Sequence, residues 1–297
     1  MAKNQSMMGL IRKVHGIIDN QDIEKHRHSQ DQVGALLGNS RETIIRSVKM
    51  NDMEGEWVSV NRAHMKKYVI LYCHGGGYST GSSLYARTLT TKLAESTSMD
   101  VLCFDYRLAP ENPYPAACED AMKAWDYLML LGYGARDVIV AGDSAGGNLA
   151  LSLVLKLKEQ ERLLPRGLVL LSPWTDLTSS GKTHATRAEV DPVLNADYLE
   201  RMISNYVDNI EKQDLENPLI SPLFGDFTGF PPTYIQAGDN EILLSDATRL
   251  HKKMIQANVS AKIDVFKGMW HVFQMSPLKT AYEAMEKNAE FIFDICR

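Results

Sequence analysis

The sequence lacks a strong charge of either sign and any long apolar run. Its net charge is −5 at pH 7 over 297 residues, so no basic field is present to hold nucleic acid or an anionic membrane surface. No stretch approaches the length of a transmembrane helix, and the N-terminus lacks the continuous apolar core of a signal peptide. We therefore expect a cytoplasmic protein that neither binds nucleic acid nor spans a membrane.

Cysteine is scarce and is not arranged as a metal or redox motif. The four cysteines are Cys73, Cys103, Cys118 and Cys296. They include no C-x-x-C pair, and two of them fall inside apolar runs typical of core strands, so buried free thiols are expected. His15, His26 and His28 show no metal-ligand spacing with a carboxylate, and we expect them to be solvated. No metal or organic cofactor is predicted.

Apolar runs alternate with amphipathic stretches along most of the chain, without repeats or low-complexity tracts. The runs predict strands at 43–50, 54–60, 68–73, 101–105, 138–141, 167–171, 233–237 and 261–266. Helices are predicted at 84–96, 116–131, 149–155, 196–210, 245–256 and 278–295. The first two strands, joined by turn residues, read as a hairpin at a sheet edge. This alternation predicts an α/β fold with a mostly parallel sheet and helices on both faces.

Two segments depart from the alternation and are candidate pieces of a helical cap. Residues 1–40 read as helical, and their apolar stripe could pack on the parent domain, form part of a lid or contact another subunit. The stripe consists of Met7, Leu10, Ile11, Val14, Ile17 and Ile18. Residues 176–215 contain no predicted strand and read as an insertion. The sheet domain is then expected to comprise residues 41–175 and 216–297.

One glycine-rich turn carries the strongest chemical signal. Ser144 lies between the apolar strand 138–141 and a helix, in the pattern G-x-S-x-G. Such a turn places a hydroxyl at a helix N-terminus, where backbone N–H groups favour developing negative charge. Gly142 and Gly146 suit the close packing of the turn. The pattern predicts a nucleophilic serine, with an ordinary turn serine as the alternative.

A nucleophilic serine needs a histidine base and an acid that orients it. In chains with this turn, the acid and then the base follow the serine. Among the later histidines, His184 comes too early and His251 lies mid-helix beside two lysines. His271 occupies a glycine-marked loop between a strand and the last helix. We predict that His271 is the base.

Three carboxylates in the loop after strand 233–237 are candidates for the catalytic acid. Asp246 opens the next helix and suits a helix-start role. Asp239 directly follows the strand, whereas Glu241 precedes two apolar residues that would anchor the loop. Spacing alone leaves Asp239 and Glu241 both open.

The segment H-G-G-G at residues 74–77 follows strand 68–73. Its glycines allow backbone N–H groups to approach a ligand and, with the N–H of Ala145, to hold an oxyanion. A phosphate cradle is the competing interpretation, but the segment lacks both the G-K-[ST] ending and the G-x-G-x-x-G spacing. His74 is expected to support the loop and not to act as a base.

Together these motifs resemble the hormone-sensitive-lipase-like esterases (bacterial family IV) of the α/β-hydrolase fold. The motifs are H-G-G-G at 74–77, D-Y-R-L-A-P-E at 105–111, G-D-S-A-G-G at 142–147 and the Glu241 and His271 regions. The resemblance covers roughly residues 68–297 and implies a helical cap built from the N-terminus and an insertion. It implies a bracing role for the 105–111 segment.

The resemblance also implies roles for individual residues. It implies Ser144 as nucleophile, His271 as base, and oxyanion donors from Gly76, Gly77 and Ala145. Glu241 aligns with the family's catalytic carboxylate, which is usually Asp in D-P-L. This sequence has Glu-Ile-Leu there, and Asp239 therefore stays as runner-up.

The expected activity is hydrolysis of short- to medium-chain acyl esters by a serine carboxylesterase, with a small-molecule ester as substrate. An amide, lactone or sugar-acetate hydrolase with the same triad is an alternative, as is a non-catalytic receptor on the same fold. A homodimer is compatible with the sequence. Aromatic residues near the motifs line an apolar pocket or belong to the core. They are Tyr78, Trp174, Phe224 and Trp270, with Met269 beside them.

Overall fold

One twisted sheet organises the part of the chain that the structure describes. This computed structural model describes residues 8–9, 11–13, 22–64, 66–208 and 214–297. The strands are β1 (Thr43–Met50), β2 (Met53–Val60), β3 (Val69–Cys73), β4 (Asp100–Phe104), β5 (Val138–Asp143), β6 (Gly167–Leu171), β7 (Thr233–Gly238) and β8 (Ala261–Phe266). Their order in the sheet is β1-β2-β4-β3-β5-β6-β7-β8.

The pairing of the strands confirms the predicted fold class. β1 and β2 form an antiparallel hairpin, and β2 is antiparallel to β4. All further pairs, from β4–β3 to β7–β8, are parallel. A parallel pair requires a crossover connection, and helices supply most of these connections. The α-helices of the described residues are α1 (Ile23–Leu37), α2 (Ser83–Thr97), α3 (Ala116–Leu130), α4 (Ala145–Glu159), α5 (Thr183–Thr186), α6 (Ala196–Tyr206), α7 (Leu244–Gln256) and α8 (Lys279–Cys296), of which α1 precedes the first strand and α8 follows the last.

Both faces of the sheet are buried, and β5 lies at its centre. Val138 and Val140 of β5 belong to the core formed with α3, α4 and α7, whereas Ile139 and Ala141 belong to the core formed with α2 and α8. Successive side chains of a strand point to opposite faces. Since each face is covered, the central strands consist mainly of consecutive apolar residues, and the sequence predicts them readily for that reason.

Helix α6 is shorter than the sequence predicted. It ends at Tyr206, and Val207 takes an extended backbone conformation. The Tyr206 carbonyl accepts a hydrogen bond from the Tyr114 N–H at 2.8 Å. The last carbonyl of the helix is therefore engaged by another loop, and the predicted end at residue 210 lies outside the described residues.

The N-terminal segment contains α1, and one prediction there is wrong. His26 is only 5% exposed, and its ring lies near that of Tyr198 in α6, with centroids 6.2 Å apart. α1 also packs closely on α2, since a Cβ at Gly34 would overlap the Leu84 carbonyl. His28 is exposed as expected, and His15 lies outside the described residues. Of the predicted apolar stripe, Ile11 is described, and Met7, Leu10, Val14, Ile17 and Ile18 lie outside the described residues.

The four cysteines are free thiols, and Cys73 and Cys103 are buried within β3 and β4. Burial raises the pKa of both thiols well above the ordinary value, so they remain protonated at neutral pH. Within the described ranges, no helix combines the length and apolar character needed to cross a membrane.

Candidate active site

Ser144 occupies a strained turn between β5 and α4. Its backbone angles are φ 54° and ψ −121°, a combination that is costly for a residue with a side chain. A Cβ at Gly142 would overlap the Gly146 carbonyl, and a Cβ at Gly146 would overlap the Cys73 carbonyl. The Ser144 N–H donates to the Leu171 carbonyl at 2.9 Å. The surrounding backbone therefore holds the turn in place.

His271 lies in the loop after β8, and its Nε2 atom is 2.9 Å from the Ser144 Oγ. The next residue, Val272, has a φ of 48°, and its N–H donates to the Ser172 Oγ at 3.1 Å. Both Ser144 and His271 are almost fully buried. The loop therefore presents the imidazole to the hydroxyl in a largely dry environment.

Glu241, in the loop after β7, is the carboxylate nearest to His271 among the ion pairs of the described residues. Its Oε2 is 3.6 Å from the His271 Nδ1. Neither Glu241 oxygen has another hydrogen-bond partner in the described part of the chain. A separation of 3.6 Å is longer than a hydrogen bond, and such contacts often tighten only when substrate is bound.

The other two candidate acids are engaged elsewhere. Asp239 is half-buried and accepts the Gly268 N–H at 2.6 Å, which fixes the turn after β8. Asp246 is fully buried, accepts the N–H groups of Thr175 and Asp176, and pairs with His184 at 2.8 Å. The structure thus brings Glu241 to His271 and directs Asp239 and Asp246 to backbone anchors.

The glycine segment after β3 faces Ser144 from the other side. Gly76 and Gly77 have φ values of 113° and 61°, which side chains rarely adopt. The Gly76 carbonyl accepts the N–H groups of Ser79 and Thr80. Gly76, Gly77 and Ser144 line one cavity, and Ala145 begins α4, where the first N–H groups of a helix have no partner within it.

Asp143, next to Ser144 in sequence, fastens the glycine segment to the sheet. Its fully buried carboxylate accepts hydrogen bonds from the Gly75 N–H at 3.0 Å, the Tyr72 hydroxyl at 2.8 Å and the Tyr85 hydroxyl at 3.1 Å. Burial raises the pKa of this carboxyl, and the three donors oppose that shift. Asp143 therefore couples the serine turn to the glycine segment, a role that the sequence alone does not predict.

His74 stacks on Tyr106, with ring centroids 4.0 Å apart, and its Nδ1 contacts the Gly75 carbonyl at 2.8 Å. Burial lowers the pKa of His74 to about 4, so the ring is neutral at neutral pH. The Tyr106 hydroxyl donates to the His74 carbonyl at 2.8 Å. These contacts match the expected supporting role of His74 and of the 105–111 segment.

A cavity of about 460 Å³ opens above Ser144 and His271. One face of α1 lines it with His26, Gln30, Val33, Gly34 and Leu37. The insertion before β7 contributes Val193, Leu194, Tyr198 and Leu199. The sequence predicts a solvated His26, and this prediction does not place the residue in the cavity wall. The helical spacing of residues 26, 30, 33, 34 and 37 indicates that they share one face of α1.

The four aromatic residues suggested for the pocket divide into two pairs. Trp174 and Trp270 line the cavity.

Tyr78 and Phe224 do not line the cavity. The Tyr78 ring stacks on the Tyr206 ring, with centroids 3.7 Å apart, and the Tyr78 hydroxyl donates to the Asn148 side-chain oxygen. Phe224 lies in a short 3₁₀ helix below the Lys253 ammonium group and does not line the cavity either. Met269 is buried beside the Gly238 backbone.

The sheet and the serine turn define the class of the protein as an α/β hydrolase. A family model described as the alpha/beta hydrolase fold matches residues 70–275. An esterase of Acinetobacter venetianus is 38% identical over 264 residues, covering 88% of this chain and 86% of that protein. An acetyl-hydrolase of Streptomyces hygroscopicus is 35% identical, covering 86% of this chain and 83% of that protein.

Solved structures extend the similarity to nearly the whole chain. An esterase from the bacterial hormone-sensitive lipase family superposes with a TM-score of 0.92 at 30% identity, covering 100% of this chain and 99% of that one. A mutant of the esterase E40 gives a TM-score of 0.92 at 31% identity, covering 99% and 98%. The chain therefore belongs to the hormone-sensitive-lipase-like esterases of the α/β-hydrolase family. Its membership of this family identifies the chain as a carboxylic ester hydrolase.

Among the residues that the structure describes, no group of three His, Cys, Asp or Glu side chains is arranged to hold a metal ion.

Proposed function

We propose that the chain is a serine carboxylesterase in which Ser144, His271 and Glu241 form the catalytic triad. The observation that carries the proposal is the 2.9 Å contact between the Ser144 Oγ and the His271 Nε2. A hydroxyl is a weak nucleophile until a base within hydrogen-bond reach removes its proton. The His271 imidazole lies within hydrogen-bond distance of the Ser144 hydroxyl, and the closely packed backbone around the turn fixes the position of that hydroxyl.

In the first step, His271 takes the Ser144 proton while the oxygen attacks the ester carbonyl. The N–H groups of Gly76, Gly77 and Ala145 stabilise the negative charge on the carbonyl oxygen, and protonated His271 then gives its proton to the departing alcohol. An acyl group remains on Ser144. Glu241 orients the imidazole and stabilises its positive charge.

In the second step, a water molecule replaces the alcohol. His271 accepts a proton from the water, which attacks the acyl carbonyl, and the same N–H groups hold the oxyanion. His271 returns the proton to the Ser144 oxygen, and the carboxylic acid is released. Each half of the cycle uses the same three side chains.

The cavity supports short- to medium-chain, uncharged acyl esters as substrates. Its volume of about 460 Å³ suits a small molecule, and its walls are mostly apolar. Relatives are named an acetyl-hydrolase and an ethyl acetate hydrolase, which favours the short end of the range. Residues 1–40 and 176–215 form the cap in this proposal, since both contribute walls. The four free thiols support a cytoplasmic location.

The test is turnover of p-nitrophenyl esters graded by acyl length. We expect a burst of p-nitrophenol and labelling of Ser144 by a fluorophosphonate at one equivalent per chain. Ser144→Ala should abolish both while the melting temperature is retained. A wild-type chain that binds the esters but shows neither turnover nor labelling would favour a non-catalytic receptor on the same fold.

A further inference from the structure

Asp191 is a buried carboxylate in the insertion that binds directly to the loop of the proposed catalytic acid. It is 4% exposed. Its Oδ1 accepts the N–H groups of Val193 and Leu194 at 2.8 and 3.1 Å, and its Oδ2 accepts the N–H of Ile242 at 2.8 Å. Ile242 directly follows Glu241. One side chain therefore joins the cavity wall to the backbone beside the acid.

The contacts of Glu241 explain why this anchor matters. Both Glu241 oxygens lack hydrogen-bond partners in the described part of the chain, so its own side chain does not fix its position. Both backbone polar groups of the adjacent Ile242 are held by the insertion. Its N–H donates to Asp191, and its carbonyl accepts the Thr183 hydroxyl at 2.7 Å. The distance between Glu241 and His271 therefore depends on the insertion.

Asp191 also lies within electrostatic reach of the base. Burial raises the pKa of Asp191 to about 6, whereas the positive charge of a protonated His271 lowers that pKa. In a site shielded from water, a carboxylate stabilises an imidazolium more strongly than it would in bulk solvent. Asp191 thus adds a buried negative charge, besides Glu241 and Asp143, that favours the protonated form of His271.

We propose that Asp191 is a positioning residue for the Glu241–His271 pair: it holds the acid loop in place and adds negative charge beside the imidazolium. This inference rests on the proposed function. Asp191 acts through other groups and does not touch the reacting atoms. The other charged groups near it are His271, Glu241, Arg187, whose carbonyl accepts the Asp191 N–H, and Arg12, whose guanidinium donates to the preceding Glu189 and Val190 carbonyls.

The experiment is a double-mutant cycle with Asp191→Asn and Glu241→Gln, measured on full-length protein with p-nitrophenyl acetate. We expect Asp191→Asn to lower kcat by about 10- to 100-fold with KM changed less than about twofold. In the Glu241→Gln background the same substitution should cost less than about threefold, because the residue it positions is already disabled. Additive losses would overturn the proposal.

The pH profile separates positioning from a structural role. Asp191 is negative above its pKa and neutral below it. The ratio of wild-type to Asp191→Asn kcat should therefore be large at about pH 8 and fall toward 1 below about pH 6, where the wild-type side chain is also neutral. A constant ratio, a lowered melting temperature with normal kcat, or a raised KM with normal kcat would each contradict the proposal.

Asp226→Asn is the matched control for Asp191→Asn. Asp226 is exposed and also accepts a backbone N–H, that of Thr228 at 2.9 Å, so Asp226→Asn should leave kcat unchanged. Failure of the proposed function would appear as a wild-type chain without ester turnover. Failure of this inference would appear as an active wild type and an equally active Asp191→Asn variant.

Discussion

The Ser144 hydroxyl and the His271 imidazole are in contact at 2.9 Å although 127 positions separate them in the chain. Each is placed by a different part of the fold. Ser144 is fixed by the turn between β5 and α4, and His271 is fixed by the loop after β8. Their contact is the structural basis for each prediction on activity below.

Replacing Ser144 should show both its chemical role and the strain of its backbone. Ser144→Ala and Ser144→Gly should each lower kcat by about 10⁴-fold or more, because both lack the hydroxyl. Ser144→Gly should nevertheless be more stable than Ser144→Ala by about 1 kcal/mol, since glycine accepts the positive φ. Urea unfolding of the two inactive variants measures this difference, and a Ser144→Ala variant more stable than Ser144→Gly, as the unfolded-chain entropy of glycine alone would give, would show that the turn is not strained.

The two neighbouring acids should respond differently to loss of charge. Glu241→Gln should lower kcat by about 10³- to 10⁴-fold because the imidazole loses its orienting carboxylate. Asp239→Asn should keep most of the activity, since Asp239 accepts the Gly268 N–H and not the His271 ring. Steady-state kinetics with p-nitrophenyl butyrate compare them. The reverse order of losses would transfer the acid role to Asp239.

Gly77 should tolerate no side chain. Gly77→Ala would place a Cβ 2.6 Å from the Met202 Cγ, so the segment must shift and kcat should fall by about 10²- to 10³-fold as the oxyanion donors move. Gly132→Ala is the matched control, because Gly132 also has a positive φ but its Cβ would meet no atom within 4 Å. Both variants should lose roughly 1 kcal/mol of stability. Only Gly77→Ala should lose activity.

Lys92 should make stability depend on alkaline pH. Its ammonium group donates to the Gln274 and Ser276 carbonyls at 2.7 and 2.8 Å, and burial lowers its pKa from 10.5 to about 8. Between these values the unfolded chain binds more protons than the folded one, so this group makes the folded state relatively more stable as pH rises. Urea unfolding from about pH 8 to pH 10 should show wild type gaining stability relative to Lys92→Met. A difference that does not change with pH would contradict this assignment.

Some features of the site were predictable because they are local. The turn at Ser144 requires an apolar strand, two small residues and a helix, and all of these lie within about twenty residues. The central strands were predictable because helices cover both faces of the sheet, and consecutive apolar residues such as 69–73 and 138–141 fill them. Helix α6 was predicted too long because its end is set by a hydrogen bond from Tyr114, which is far away in the sequence.

The sequence by itself determined the fold class, the serine turn, the glycine segment and the order in which the candidate acid and base follow the serine. Those features depend on backbone preferences and periodicity, which neighbouring residues set. Only the tertiary structure placed Glu241 at 3.6 Å from His271, turned Asp239 toward Gly268, buried His26 and directed Asp191 to Ile242. The direction of a side chain in a loop is set by the segments that pack against it, and these come from distant parts of the chain.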